Sequence, residues 1–253
     1  MSARRHLPIT AAKPEPPRPR ALVFVPARDE EHLVGALVAR LQSIRKTYAA
    51  SLPIDTLLVD DGSRTDATAR AAEAAGIGRV IRHEAPRGIG EATRSALLAA
   101  KEQGYAAVVR LDADGQHDPL DIPDLVRPIL ADQADLVWGS RYRVDHSNSL
   151  ADRAGGAYST LLVRRLTGWP VSDPRSRFFA LSARFLESIP LATDCEFPHH
   201  LLLDGAARRL RYSEHPVMVS LPRDGRAASA WREPFEAARS ITQRYLATRI
   251  GRR

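Results

Sequence analysis

The chain has 253 residues, of which 44% are hydrophobic and 26% are charged, a composition that suits one globular domain with a full-sized core. No stretch approaches the ~18 apolar residues of a membrane span, the first residues lack the apolar segment of a signal peptide, and the single cysteine, Cys195, excludes an internal disulfide. These features predict a cytoplasmic protein. Its net charge of +7 is compatible with nucleic acid, an anionic membrane surface or phosphorylated ligands as partners.

The positive charge is concentrated at the two ends of the chain. Residues 1–20 contain five basic residues, one acidic residue and five prolines, and we expect them to form a disordered basic arm. Residues 223–253 contain eight arginines and three acidic residues. Because the excess lies in the end segments and no aromatic-basic recognition motif is present, we expect no nucleic-acid partner.

Strands and helices are predicted to alternate from residue 21 to residue 139. The expected strands are 21–25, 56–60, 79–82, 106–111 and 136–139; the expected helices run through Leu33 to Leu41, 67–75 and 89–103, with a further helix broken around Pro123 and Pro128. Continuous apolar strands that alternate with helices predict an α/β fold, in which a mostly parallel sheet has helices on both faces. Ligands of such sheets bind at the carboxyl ends of the strands.

The alternation stops after Gly139. A helix is expected at 150–166, a strand at 177–181, a helix at 196–205, a strand or hairpin at 208–221, and a final helix at 235–250. We therefore divide the chain into the arm 1–20, a folded domain 21–230 and a basic amphipathic helix 231–253. The final helix has the pattern of a membrane-surface helix, but a stripe of this kind more often packs on its own domain, which is the outcome we expect.

The segment 107–119, AVVRLDADGQHDP, is the strongest candidate for a functional site. Asp112 and Asp114 follow a short apolar strand and, at positions i and i+2, point in the same direction. They could share one hard cation, Mg²⁺ or Mn²⁺, which also binds phosphate oxygens. Alternatively, these aspartates only shape a turn and cap a following helix.

Two further motifs follow earlier strands. Asp60 and Asp61 lie where a ribose or a base could donate hydrogen bonds to them, although VDDGS would also form a simple Asp-Gly turn. The glycine-flanked helix start 87–92, RGIGEA, could bring backbone donors such as that of Gly88 near phosphate, or could be a flexible loop. Each motif is ambiguous alone, but their order along successive βα units favours a nucleotide-sugar ligand.

The motifs VPARDEEHL, VDDGSRTDAT, RGIGEA, LDADGQHDP, GSRY and SDPRSRFFALS together resemble a known family. Their order and spacing are similar to those of the inverting GT-A glycosyltransferases of family 2, in particular the polyprenyl-phosphate (dolichyl-phosphate) mannosyl- or glucosyltransferase branch. The resemblance covers about residues 21–229. It implies a GT-A fold, Rossmann-like and mostly parallel, with a C-terminal elaboration on the acceptor side.

The resemblance also implies roles for individual residues. The base and ribose would be lined by Pro26, Ala27, Arg28 and Glu30, with Asp60 or Asp61 on the base; the metal would be held by Asp112, Asp114 and Gln116; and phosphate, including that of a lipid acceptor, would be bound by Arg141, Arg153 and Arg223. Asp173 and the two metal carboxylates would act mainly through electrostatics and positioning.

One position departs from the family pattern. The family element D-x-x-S-G-F has Arg177 in place of its glycine, in DPRSRFF. This arginine could add a phosphate contact, could narrow the acceptor pocket, or could mark a loss of activity.

Three functions are compatible with these features. The first is hexose transfer from a GDP- or UDP-sugar to a polyprenyl phosphate at the cytoplasmic face of the membrane. The second is transfer to a hydroxyl or an amine of a soluble small molecule, for which Asp173 or Glu196 would be the general base. The third is a catalytically silent nucleotide-sugar-binding or membrane-surface module, which the intact DAD triplet disfavours.

Overall fold

The computed structural model describes residues 19–141, 150–189, 191, 198–218 and 233–250. The first half contains β1 (Ala21–Ala27), α1 (Val34–Tyr48), β2 (Ile54–Asp60), α2 (Ala67–Ala74), β3 (Arg79–Arg82), α3 (Ile89–Glu102), β4 (Ala107–Arg110), a 3₁₀ turn (Pro119–Asp121), α4 (Ile122–Leu130) and β5 (Leu136–Ser140). The second half contains α5 (Leu150–Thr167), β6 (Phe179–Ser182), α6 (Ala183–Ser188), α7 (Pro198–Ala207), β7 (Tyr212–Pro216) and α8 (Glu233–Ile250).

The strands form one seven-stranded sheet in the order β3-β2-β1-β4-β6-β5-β7. The first four neighbours in this order are parallel, as is the pair of β5 and β7. Strand β6 is antiparallel to both of its neighbours, β4 and β5. The mostly parallel α/β sheet expected from the sequence is thus confirmed, and β6 is the strand at which the parallel arrangement breaks.

Helices cover both faces of this sheet, because strands such as β1 are apolar throughout. All seven residues of β1 are buried. Val23 and Val25 pack on one face together with residues of α1, α2 and α4, whereas Leu22 and Phe24 pack on the other face with residues of α3, α5, α7 and α8. Successive side chains of a strand point to opposite faces, so a strand buried on both sides needs no polar alternation.

The sequence interpretation was wrong for two helices. We expected a break around Pro123 and Pro128, but α4 is continuous through both prolines. Pro123 lies in the first turn, where the backbone N–H has no helical partner to lose. The short helix α6 was not predicted; Ser182 caps its start, since the Ser182 hydroxyl accepts a hydrogen bond from the backbone N–H of Phe185 at 3.0 Å.

The last helix, α8, packs on the domain. Ile241 is fully buried in the same apolar cluster as α5 and α7, and Tyr245 packs against that cluster. A guanidinium nitrogen of Arg244 donates to the buried carboxylate of Asp204 on α7 at 2.5 Å. Within the part of the chain that the structure describes, no helix is long and apolar enough to cross a membrane.

Candidate active site

The carboxyl ends of three adjacent parallel strands bring the predicted site residues to one edge of the sheet. Ala27, the last residue of β1, is in register with Asp60, the last residue of β2. On the other side of β1, the backbone N–H of Leu111, just beyond β4, donates to the carbonyl of Phe24. The segments that follow β1, β2 and β4 therefore leave the sheet side by side, as the sequence predicts.

Asp112 is held by an arginine from inside the core. Arg110, only 1% exposed, donates from Nε and from one terminal nitrogen to Oδ1 of Asp112 at 3.1 and 2.9 Å, and from its other terminal nitrogen to Thr93 on α3 at 3.2 Å. Both residues lie on the same side of the extended chain, two positions apart. The ion pair fixes one carboxylate oxygen, and Oδ2 has no hydrogen bond from any described residue.

Asp114 and Gln116 bind each other in the turn that follows. The turn contains Gly115 at φ +70°, a conformation that glycine adopts without strain. The backbone N–H of Gln116 donates to Oδ1 of the exposed Asp114 at 3.0 Å, and the Gln116 side-chain amide donates to Oδ2 at 2.9 Å. The carboxamide oxygen of Gln116 therefore remains available as an acceptor beside two carboxylates.

This set of oxygens fits a divalent cation bound together with phosphate. No cluster of three or more histidine, cysteine, aspartate or glutamate side chains in the described ranges could hold a metal ion by itself. Asp112, Asp114 and Gln116 nevertheless supply three hard oxygen donors, and Mg²⁺ is usually held by one or two carboxylates plus substrate phosphates and water. The donor chemistry thus agrees with the predicted ligands.

On the nucleotide side, two loops are tied together by carboxylates. Asp29 has φ +54° and accepts hydrogen bonds from the backbone N–H of Arg64 at 2.9 Å and from its Nε at 3.2 Å. The backbone hydrogen bond from Arg64 is the main cause that lowers the pKa of Asp29. Asp60 is fully buried and accepts from the backbone N–H of Ser63 at 3.0 Å. These contacts fix the loops around the predicted base and ribose site.

Among the other predicted nucleotide contacts, Pro26 and Ala27 are buried at the end of β1, Arg28 is exposed and Glu30 is partly exposed.

Asp61 has a structural task that the sequence did not indicate. Its carboxylate accepts the backbone N–H groups of Arg87 at 2.9 Å and Gly88 at 2.8 Å, and it lies 2.8 Å from Nδ1 of His83. The backbone N–H groups of Arg87 and Gly88, which were predicted to face phosphate, therefore donate to Asp61. Contact of Asp60 or Asp61 with a base, and of Gly88 with the donor, stays a prediction.

Arg141 and Asp173 form a buried pair across the sheet edge. Asp173 is 0% exposed and accepts two hydrogen bonds from the Arg141 guanidinium, at 2.6 and 2.8 Å. Its backbone carbonyl accepts the indole N–H of Trp138 at 2.7 Å. The Arg141 side chain is 28% exposed, so part of a cation reaches solvent beside the site.

Arg177 lies near the carboxylate of Asp112. One of its terminal nitrogens is 3.9 Å from Oδ2 of Asp112, and its side chain is 53% exposed. The residue that replaces the family glycine is thus placed next to Asp112 of the DAD triplet.

His117 is a buried histidine on which the charged groups of the site act, and the sequence analysis assigned it no role. The ring is 6% exposed, packs on Phe178 with 5.0 Å between ring centroids, and neither ring nitrogen has a hydrogen-bond partner among the described residues. Burial is the main cause that lowers its pKa; the carboxylates of Asp112, Asp114 and Asp173 act in the opposite direction, and Arg141 adds to the lowering. The carboxylates of Asp112, Asp114 and Asp173 and the guanidinium of Arg141 therefore all act on one buried imidazole.

Arg110 was also missed, although a charged residue inside the apolar run VVRL was a visible signal. Three predicted residues cannot be placed in the same way. Arg223 and Glu196 lie outside the described residues, and for Arg153 the structure describes only its position in the helix α5.

Comparison with known proteins agrees with this geometry. The profile described as "Glycosyl transferase family 2" matches residues 22–189. An undecaprenyl-phosphate mannosyltransferase of Micrococcus luteus is 33% identical over 184 residues, which are 68% of this chain and 70% of that protein. An uncharacterized protein of Methanocaldococcus jannaschii is 31% identical over 163 residues, which are 63% of each chain.

A solved structure shares the fold. The glucosyl-3-phosphoglycerate synthase of Mycobacterium tuberculosis, in complex with Mn²⁺, UDP and glucosyl-3-phosphoglycerate, superposes with a TM-score of 0.68 over 91% of this chain and 80% of that chain, at 24% sequence identity. The sheet described above is therefore a GT-A fold.

Proposed function

Because the chain belongs to glycosyltransferase family 2, we propose that it transfers a hexose, mannose or glucose, from a GDP- or UDP-sugar to a polyprenyl phosphate. The chain is a glycosyltransferase; the lipid acceptor, the use of Mg²⁺ or Mn²⁺ and the inversion at the anomeric carbon are our proposal. One observation carries it: Asp112 and Asp114 stand at the carboxyl end of β4, and Arg110 fixes the orientation of Asp112 from within the core.

The donor diphosphate would lie over this carboxylate pair. A divalent cation bound by Asp112, Asp114 and Gln116 would offset the negative charge that develops on the departing nucleoside diphosphate. The loops held by Asp29 and Asp61 would bind the nucleoside. Asp60, Arg28 and Glu30 would line the same part of the site. The Mycobacterium tuberculosis enzyme of the same fold binds Mn²⁺ and UDP, but support for this chain comes from its own oxygen ligands.

The ion pair between Asp173 and Arg141 favours a phosphate acceptor over a hydroxyl acceptor. A neutral hydroxyl needs a general base, whereas a phosphate oxygen is already anionic and can attack the anomeric carbon directly. Asp173 is buried and accepts both hydrogen bonds of the Arg141 fork, so both of its oxygens are engaged in this ion pair. Asp173 would then orient Arg141, and Arg141, with Arg153 and Arg223, would bind the acceptor phosphate.

The Micrococcus luteus relative, whose name specifies undecaprenyl phosphate, supports this acceptor class. A lipid acceptor would require the protein to work at the inner face of the cell membrane, to which we propose that it binds peripherally. The exposed apolar side chains of Tyr158 and Leu161 on α5 and Leu246 on α8 would contribute to binding at an anionic surface.

Transfer to the hydroxyl or amine of a soluble small molecule remains the second candidate. It is favoured by one specific observation, namely that Arg177 brings a cation beside the donor site, where the family pattern has a glycine. A catalytically silent nucleotide-sugar-binding module is disfavoured by the fixed orientation of Asp112.

The test is a transfer assay with purified protein on a panel of GDP- and UDP-sugars, with and without a short polyprenyl phosphate. We expect a glycosyl phospholipid of inverted anomeric configuration, seen by NMR, from one nucleotide class, and loss of turnover with EDTA that Mn²⁺ or Mg²⁺ restores. Transfer to a soluble alcohol in place of the lipid would reject the acceptor assignment.

A further inference from the structure

The two oxygens of Asp112 face different cations. Arg110, which is buried, holds Oδ1 through two hydrogen bonds. Oδ2 faces Arg177, whose terminal nitrogen lies 3.9 Å away and whose side chain is 53% exposed. The Arg110 side chain is only 1% exposed, so this cation is held in the core. The Arg177 guanidinium sits on a long side chain that can turn away from Asp112 at little cost, since exposed ion pairs contribute only ~0–1 kcal/mol.

Oδ2 is also the oxygen of Asp112 that a metal ion would use. Oδ1 already accepts two hydrogen bonds, so an ion shared with Asp114 would bind at Oδ2. A guanidinium about 4 Å from that oxygen and a divalent cation on it would repel each other. The Arg177 guanidinium and the divalent cation therefore cannot both lie close to Oδ2 of Asp112.

We propose that Arg177 and the divalent cation alternate on Oδ2 of Asp112. In the enzyme without ligands, the guanidinium neutralises this oxygen. When metal and nucleotide-sugar bind, Arg177 moves onto the donor diphosphate, for which its planar fork of donors is well suited. This inference rests on the proposed function, because it assumes a donor diphosphate at the DAD triplet.

The exchange couples the metal to the nucleotide. Arg177 weakens metal binding while no diphosphate is present, and it strengthens nucleotide binding once the metal has displaced it. Since coupling between two ligands is reciprocal, the nucleotide must raise metal affinity by the same factor. A protein with glycine at this position would bind the metal ion more tightly in the absence of nucleotide. It would also lack this part of the coupling.

The substitution Arg177→Gln tests the exchange by direct binding of Mn²⁺, measured from the EPR signal of free Mn²⁺. Without nucleotide, we expect the variant to bind Mn²⁺ about three- to tenfold more tightly than the wild type. With Mn²⁺ present, we expect its affinity for UDP or GDP, whichever the wild type binds, to fall about tenfold. Arg177→Lys, which keeps the charge but not the fork, should lie between the two.

The matched control is Arg70→Gln, which removes an exposed arginine of α2 that is paired with Asp66 and should change neither affinity. The inference is overturned if Arg177→Gln leaves the Mn²⁺ affinity unchanged, or if the nucleotide affinity does not fall. Neither titration contains an acceptor or a transferable sugar. A failure of the lipid-transfer assay would therefore reject the proposed acceptor and leave this result standing.

Discussion

The proposed nucleotide side of the site, formed by the segments after β1 and β2, differs from the proposed acceptor side, formed by Arg141 and Asp173. On the nucleotide side, Asp29 and Asp61 accept backbone N–H groups and so shape loops. On the acceptor side, the guanidinium of Arg141 donates to the buried Asp173, and 28% of the Arg141 side chain stays exposed. The carboxylates of the nucleotide side thus hold backbone groups, whereas the carboxylate of the acceptor side holds a cation that is partly exposed to solvent.

Asp112 lies between the two sides. Its Oδ1 accepts hydrogen bonds from the buried Arg110, and its Oδ2 faces the exposed Arg177. The comparison indicates that substitutions on the nucleotide side should act mainly through loop structure, whereas substitutions on the acceptor side should act through binding. Substitution of Asp112 should affect chemistry most of all.

Asp112→Asn should produce the largest effect. It removes a negative charge from the metal site and leaves the buried Arg110 without its full counter-charge, so we expect turnover to fall by about 100-fold or more, equivalent to ~2.7 kcal/mol in the transition state. Initial rates in saturating Mn²⁺ measure this loss. The control is Asp124→Asn, which removes an exposed carboxylate paired with Arg127 and should leave the rate unchanged. Wild-type turnover of Asp112→Asn would refute the metal assignment.

Arg141→Ala should separate acceptor binding from donor binding. Loss of a charge-assisted contact to phosphate costs about 1.5 to 3 kcal/mol, so the KM for polyprenyl phosphate should rise about 10- to 100-fold while the Kd for the nucleotide hardly changes. The variant also leaves buried Asp173 unpaired, which should lower the free energy of unfolding by about 3 to 5 kcal/mol.

Arg141→Lys keeps a cation next to Asp173 and serves as the folded counterpart, for which we expect a smaller rise in KM. If nucleotide affinity falls as strongly as acceptor affinity in these variants, the division into two sides is wrong.

Gly62→Ala should act on the nucleotide side through structure. Gly62 has φ +65°, and a Cβ there would collide with the backbone of Ala85 and Pro86. The left-handed conformation alone costs about 1 to 2 kcal/mol for alanine. We expect a lower melting temperature and a nucleotide Kd raised about fivefold, measured by calorimetry, with an unchanged KM for the acceptor. The control is Gly104→Ala, where φ is +66° but no atom lies within contact distance, so the nucleotide Kd should not change.

The smallest effect concerns the membrane. Leu161→Ser combined with Leu246→Ser removes two exposed apolar side chains, and we expect a few-fold weaker association with anionic vesicles at an unchanged melting temperature. Added salt should weaken the association of the wild type, because surface attraction is screened. Ile241→Ser is unsuitable, since Ile241 is buried and the change would disturb the core. Unaltered vesicle binding would argue against these side chains as contacts.

The sequence predicted the nucleotide half of the fold well, because each strand is a local apolar run with a turn at its end. The strand expected at 79–82 and the helix expected to begin at Ile89 have those bounds in the structure. The carboxylates of the DAD triplet were identified for the same reason. Their role as metal ligands stays a prediction, drawn from the spacing of Asp112 and Asp114 just beyond β4.

The remaining features depend on contacts between distant residues. Arg141 and Asp173 are 32 positions apart, and neither residue in the sequence indicates that they bind each other. Strand β6 enters the sheet between β4 and β5 in the antiparallel direction, a pairing that hydrophobic periodicity does not specify. The proximity of Arg177 to Asp112 follows from that pairing, since β6 begins two residues after Arg177.

The buried Arg110 has a consequence for how the reaction is prepared. Its charge would be costly in the core without Asp112, so a chain that has folded β4 has already oriented the carboxylate. No reorganisation of this group is then needed when substrate arrives, and electrostatic preorganisation of this kind is the largest single contribution to the rate of many enzymes. The free energy that aligns Asp112 is supplied once, during folding, and not in each catalytic cycle.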